Sequence, residues 1–260
     1  MNSSSLERDL VSTKPEALQI EANPSRVYYG RQLEVHFERR FFHWITRRAV
    51  GELVAEGRLR EVEEPLVGTT RLKFVFRPGL RYYRRAIARS AGVVRRYSAH
   101  EVASACGEQA DMLFLNALAA RQFVCVGQDV VEYHGKRWPE SGHDLDFVVE
   151  RDGRAYGTEV KNALDYIDRE ELRTKIGMCQ FFGITPLFIV RAMPKSYVND
   201  YILPARGFAL VFGTLMYPFG FTELVREMRD VLGLPVDCPR AVPAGVVERF
   251  LRWHGQQVER

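Results

Sequence analysis

His143 to Lys161 spells HDLDFVVERDGRAYGTEVK, two extended runs either side of Asp152-Gly153. Both central positions of a type I′ hairpin turn need positive φ, and Asp-Gly tolerates that. With those two residues as the loop, Arg151 faces Arg154. Counting outward, Asp146 falls opposite Glu159 and Asp144 opposite Lys161. Side chains alternate faces along a strand, so these four share one face, with Val148 and Gly157 between them and the turn. The other face carries Leu145, Phe147 and Val149 against Tyr156, Thr158 and Val160, a set suited to burial.

Two carboxylates directly opposite on a ladder repel. A one-residue slip would turn the acids into the core, so the register is not free to adjust. A Mg²⁺ ion resolves the conflict, because it takes hard oxygen ligands, often one or two carboxylates, and keeps waters for a phosphate or a nucleophile. Mn²⁺ is an alternative. A lysine beside such a site can hold a phosphate oxygen or the attacking water through its charge. The competing reading is a solvated hairpin face with chance charges.

Asp146 followed across the hairpin by Glu159-Val160-Lys161 resembles the PD-(D/E)xK nuclease superfamily, the restriction-endonuclease-like fold. The resemblance implies that Asp146 and Glu159 bind the metal, that the Val160 carbonyl adds a ligand, and that Lys161 assists the attacking water. Leu145 stands where the family name has proline. Asp144 is an extra acid able to compete for the role of Asp146.

The rest of the chain sets the context. Its 260 residues allow one large or two modest domains, and 46% apolar with 27% charged content is that of an ordinary globular protein. No apolar run approaches the roughly 18 residues of a membrane span. The first residues hold acids and no apolar core, unlike a signal peptide. Cys106, Cys125, Cys179 and Cys238 form no C-x-x-C pair and read as buried thiols in a reducing cytoplasm. Residues 1–25 lack periodicity and read as a disordered lead-in.

Charge is distributed unevenly. From Arg26 to His100 stand 16 Arg and 1 Lys against 7 Glu, a net of +10; residues 1–25 carry −2, so in a chain of +4 residues 101–260 carry −4. A basic front and an acidic back argue for two domains, with nucleic-acid attraction in the front one. Residues 26–97 form the first. A helix over Gln32–Glu38, a second with Phe42, Ile45, Ala49, Val50 and Leu53 at helical spacing up to Gly57, and strands at Leu59–Glu63 and Arg71–Arg77 resemble a winged helix-turn-helix domain. That resemblance implies duplex DNA contacts by Arg47, Arg48, Arg71 and Lys73. A small α+β interaction domain is the alternative. In the Arg-rich helical stretch 79–97, Arg81, Arg84, Arg85 and Arg89 could follow phosphates, or form a solvated face.

Residues 98–260 supply the second domain. Ser98 and Glu101 signal a helix start, and a helix to about Gln122 carries Glu108. The resemblance makes Glu108 a candidate that reaches the metal; an exposed acid is the alternative. A strand over Phe123–Tyr133, a loop over Gly135–Gly142, the hairpin, a helix from Asp168 to Gly183 and a strand at Leu187–Arg191 follow. Lys175 and Gln180 on that helix are accessory candidates or solvated groups. Gly207–Gly213 reads as a strand, and Phe221–Leu232 and Val246–His254 as closing helices. The expected fold is therefore α/β, a restriction-endonuclease-like mixed sheet flanked by helices, preceded by a small winged-helix-like domain. The expected function is that of a Mg²⁺-dependent DNA endonuclease in restriction, defence or repair, cytoplasmic and without a membrane partner. A homodimer is an option, because cutting both strands takes two active sites. A DNA-binding regulator that no longer cuts and an RNA-processing nuclease are the alternatives.

Overall fold

The computed structural model describes residue 23 and residues 25–259. The lead-in expected over residues 1–25 therefore lies almost wholly outside the described residues. The chain divides into two compact units, residues 1–102 with 223–234, and residues 103–222 with 235–260.

In the first unit a short strand β1 (Tyr28–Tyr29) runs into helix α1 (Gly30–Phe37) and helix α2 (His43–Ala55), then strands β2 (Arg60–Pro65) and β3 (Arg71–Phe76). The three strands pair antiparallel in the order β1-β3-β2. Gly57 stops α2: at φ 72° it lets the Arg58 amide return to the Leu53 carbonyl. Tyr28, Leu33, Phe37, Val50, Leu53, Leu59 and Val75 close the core between helices and sheet. Helix α3 (Tyr83–Tyr97) follows, with Tyr83 stacked on Phe76 at 4.6 Å between ring centroids.

In the second unit helix α4 (His100–Ala119), most of which belongs here, leads to β4 (Val124–Val130), the small hairpin β5 (Glu132–Tyr133) and β6 (Lys136–Arg137), and the long hairpin β7 (Leu145–Arg151) and β8 (Arg154–Lys161). Helix α5 (Arg169–Phe182) crosses over to β9 (Thr185–Val190), followed by β10 (Phe208–Val211) and β11 (Leu215–Met216). Helix α6 (Thr222–Leu232) belongs almost entirely to the first unit, where Glu227 pairs with Arg96. The chain returns through β12 (Val236–Asp237) to helix α7 (Ala244–Val258). The main sheet has the order β10-β9-β8-β7-β4. Strands β4, β7 and β8 are antiparallel, and β8, β9 and β10 are parallel. The fold class is thus mixed α/β.

The hairpin has the turn its sequence demands. Asp152 and Gly153 both have positive φ, 52° and 71°, and Arg151 pairs with Arg154. Both faces of the hairpin are covered. Phe147, Val149 and Tyr156 pack with Phe114, Leu118 and Phe250 of α4 and α7. Val148 packs on the opposite face with Met178, Cys179 and Phe182 of α5. The face that carries the acids is therefore covered by α5 and not open to solvent beside Val148 and Gly157. Gly157 is small because α5 sits on it: a Cβ there would stand 2.6 Å from Cys179 Sγ and 2.8 Å from Leu145 Cδ1. Leu145 also differs from its alternation, since it joins Val148 and not Phe147. The ladder with β8 ends at Phe147–Thr158, which frees the start of β7 to rotate.

Two smaller differences follow from local chemistry. The strand expected over Phe123–Tyr133 breaks after Val130, where Asp129 takes φ 48°, and the loop expected over Gly135–Gly142 contributes β6. No disulfide joins the four cysteines; Cys106 and Cys179 are buried as expected, but Cys238 is half-buried and Cys125 is exposed.

Candidate active site

The acids collect where β7 and β8 separate. Had the ladder continued, Leu145 and Val160 would be its next hydrogen-bonded pair. The Asp146 carboxylate takes that place, its Oδ2 accepting from the Val160 amide at 2.5 Å. This pins Asp146 beside Glu159, its neighbour across the hairpin. On the β4 side, the pairs Gln128–Phe147 and Val130–Leu145 put Asp129 opposite Asp146. The next turn of chain is held by Asn162, whose side chain donates to the Cys106 and Met216 carbonyls at 2.7 and 2.8 Å, and by Arg191, which donates to the Ala163 and Leu164 carbonyls.

Helix α5 supplies the counter-charge. Asp168 caps it, accepting from the Glu170 amide at 2.7 Å, and the register then turns Lys175 inward. Lys175 is buried at 4% exposure, with Nζ 2.5 Å from Glu159 Oε2, donating at 2.5 Å to the Asp144 carbonyl and lying 3.7 Å from the Asp144 carboxylate. The contact with Glu159 is a buried ion pair, and it occupies the Glu159 Oε2. Lys161 turns to another partner, its Nζ 3.3 Å from both carboxylate oxygens of Glu171 on α5, while its charge still reaches Asp146. The expected pairing of Asp144 with Lys161 is absent. Asp144 precedes the strand and turns to Lys175.

On α4, Glu108 is exposed. Asp111, one turn further, is the helical acid in the electrostatic reach of Asp146 and is half-buried. Sequence reasoning missed it, although the signal was available: Asp111 lies at i, i+3 and i+7 with Phe114 and Leu118, the buried stripe of the helix. Gln180 faces away from Lys175, lining a cavity of about 290 Å³ with Arg173, Asp200 and Tyr201.

The electrostatics are those of acids crowded out of water. Burial, then the Asp146 charge, pushes Glu159 up to about 8, with Lys175 opposing. Burial, then Asp146, Asp129 and Glu108, pushes Asp111 up to about 7. Asp146 is also raised, by burial, against the Val160 amide and the two lysines. Burial lowers Lys175, but its carboxylate neighbours outweigh that and hold it above the ordinary lysine value. Among the described residues no group of three or more His, Cys, Asp or Glu stands ready to hold a metal ion. Mg²⁺ needs only one or two carboxylates and keeps its waters. The side-by-side carboxylates of Asp146 and Glu159 fit that modest requirement, with the Val160 carbonyl adjacent and Lys175 sharing Glu159.

The basic residues of the first unit divide into two sets. Those expected on α2 and the β2–β3 wing are paired: Arg47 with Glu34 at 2.8 Å, Arg48 with Glu52 at 3.0 Å, Arg71 with Glu63 at 3.9 Å and Lys73 with Glu61 at 2.9 Å. Arg84 lies over the Tyr83 ring, and Arg85 lines a cleft beside α3. Among the described residues no helix is long and apolar enough to cross a membrane. Compared with protein-family models, curated proteins and solved structures, the chain matches none.

Proposed function

We propose that this chain is a divalent-metal-dependent endonuclease of the restriction-endonuclease-like type, acting on duplex DNA. The observation that carries this reading is the placing of Asp146 beside Glu159 at the open end of the hairpin, two crowded carboxylates with Lys175 against one of them. The element order helix, three antiparallel strands, crossover helix and parallel strand supports it. So does the order β1-α1-α2-β2-β3 of the first unit, which resembles a winged helix.

Asp146, Glu159 and the Val160 carbonyl would hold Mg²⁺ or Mn²⁺. When bound, the ion supplies Lewis-acid stabilisation of charge on a phosphoryl oxygen. The remaining work belongs to side chains. Lys175, fixed by the Asp144 carbonyl, keeps Glu159 aimed at the site and offsets the charge of Asp144 and Asp146. Lys161, held by Glu171, is placed two residues after Glu159 on the same face of β8, where it positions the attacking water or a phosphate oxygen. Asp111 can accept a proton near neutral pH. Restriction, defence or repair all draw on this chemistry.

One observation favours a second reading, a nucleic-acid-binding protein that does not cut: Lys175 already neutralises Glu159. Incubating the protein with plasmid DNA, single-stranded DNA and structured RNA, in Mg²⁺ or in EDTA, separates the two. The nuclease reading expects duplex DNA to be cut in Mg²⁺ and left intact in EDTA. Intact substrates in both Mg²⁺ and Mn²⁺ would select the non-cutting reading, and cutting of RNA alone would move the substrate class.

A further inference from the structure

The first unit contains a cleft of about 920 Å³ lined by Arg26, Arg81, Arg85, Arg89 and Tyr82, with Asp230 on its wall. Arg85 and Arg89 stand one helical turn apart on α3, Arg81 just precedes the helix, and all three line the cleft. The four guanidinium groups face a single carboxylate among the lining residues. Their state differs from that of the basic residues expected to contact DNA on α2 and the β2–β3 hairpin. Arg47, Arg48, Arg71, Lys73 and Arg96 are each in an ion pair. Arg26, Arg81, Arg85 and Arg89 make no carboxylate ion pair among the described residues; Arg89 feels Glu227 electrostatically, but Glu227 is held by Arg96. Four arginines that make no carboxylate ion pair among the described residues therefore line one cleft.

Tyr82 adds a second element. Its side chain is 85% exposed although it is a large aromatic group, and its backbone sits at φ 60°, a conformation a bulky L-residue rarely adopts. Tyr83, by contrast, is stacked on Phe76. An exposed ring beside arginines is a surface on which a nucleobase stacks while phosphates meet the guanidinium groups. A blunt duplex keeps its bases paired inside and cannot use that ring. The cleft volume is in the range that accepts a small-molecule-sized unit such as one nucleotide.

We propose that this cleft binds a single-stranded nucleic-acid segment, with Arg81, Arg85 and Arg89 on successive phosphates and Tyr82 under a base. The proposal rests on the reading of the chain as a nucleic-acid-cutting protein, and it moves the anchoring charge from the wing to α3.

The test is fluorescence anisotropy with the full-length protein in EDTA, which prevents cutting. The probes are a labelled single strand of about 12 nucleotides, a blunt duplex, the same duplex with a single-stranded tail, and an RNA copy of the single strand. The wild type should bind the tailed duplex at least about 10-fold more tightly than the blunt one. Tyr82→Asn, which removes the ring and tolerates the left-handed backbone, should abolish that preference without changing blunt-duplex affinity. Arg85→Ala with Arg89→Ala should reduce the log-log salt slope for the single strand by about 1.4. Arg71→Ala with Lys73→Ala should change it less, because those cations are already paired. Equal binding of the RNA strand supports the cleft with a broader ligand. A tail that confers no preference, or a preference that survives both cleft variants, overturns the proposal. Absence of cleavage in Mg²⁺, measured separately, would remove the nuclease reading while the tail preference still reports on the cleft.

Discussion

Glu159→Gln gives a pH-dependent signature that only a buried, crowded carboxylate can produce. In the folded protein, burial and the Asp146 charge push Glu159 from 4.5 up to about 8. A carboxyl raised on folding contributes stability that is fully present below its unfolded pKa and is lost as pH rises to the folded one. The window therefore runs from about 4.5 to about 8. At about 1.36 kcal/mol per pH unit, and with the proton shared with Asp146 and Lys175, the loss is on the order of 3–5 kcal/mol. For a chain of this size that is roughly 10 °C in melting temperature. Glutamine keeps the shape and cannot ionise, so the variant should lose this slope. Lys175 stays charged throughout the window, so removing its partner shifts the variant by a nearly constant amount and leaves the slope as the readout. Asp111, pushed up to about 7, leaves a smaller slope in both proteins. The assay is a series of thermal melts in EDTA from pH 5 to pH 8. Parallel profiles for the two proteins would refute the account of Glu159 as a strained buried acid.

Asp146→Asn should remove most of the Mg²⁺-induced rise in melting temperature, worth about 1.4 kcal/mol in the wild type at ten times Kd; equal shifts in both proteins would take Asp146 out of the ligand set and put Asp144 forward. Lys161→Ala should abolish cleavage while leaving nucleic-acid binding nearly intact, as read by gel shift beside a cleavage assay. Lys175→Ala should lower stability by about 3 kcal/mol, because it strands Glu159 without its buried partner, which denaturant melts at pH 8 will show. Gly157→Ala should cost about 1–3 kcal/mol, because a Cβ meets Cys179, Leu145 and Ile184 within 3 Å; a wild-type melting temperature would show that α5 can move off the sheet.

The hairpin was legible because turn chemistry and strand alternation are local. Asp152-Gly153 dictates the loop, and the loop dictates that Asp146 meets Glu159. What the alternation missed was the end of the ladder, where Asp146 replaces a backbone partner and Leu145 rotates to the other face; such an ending depends on β4 and α5, far away in sequence. The same limit explains the lysines. Sequence spacing placed Lys161 beside the acids, but only the packing of α5 shows that Lys175 reaches Glu159 while Glu171 takes Lys161. Charge counting found the basic front half but not the ion pairs of Lys73 on the β2–β3 hairpin, since Glu61 and Glu63 come from the neighbouring strand. The return of α6 to the first unit was invisible for a similar reason, and a fragment ending at residue 97 would lack it.

The central claim is that Asp146 and Glu159 together hold a divalent cation that cuts phosphodiester bonds. Its most direct test is a single-turnover reaction on an end-labelled duplex with the wild type, Asp146→Asn and Glu159→Gln, purified in parallel and assayed in Mg²⁺ and in EDTA. The wild type should cut the strand in Mg²⁺ alone, and neither variant should cut although both remain folded. Scission in EDTA, or scission by the folded Asp146→Asn and Glu159→Gln proteins at the wild-type rate, would contradict it.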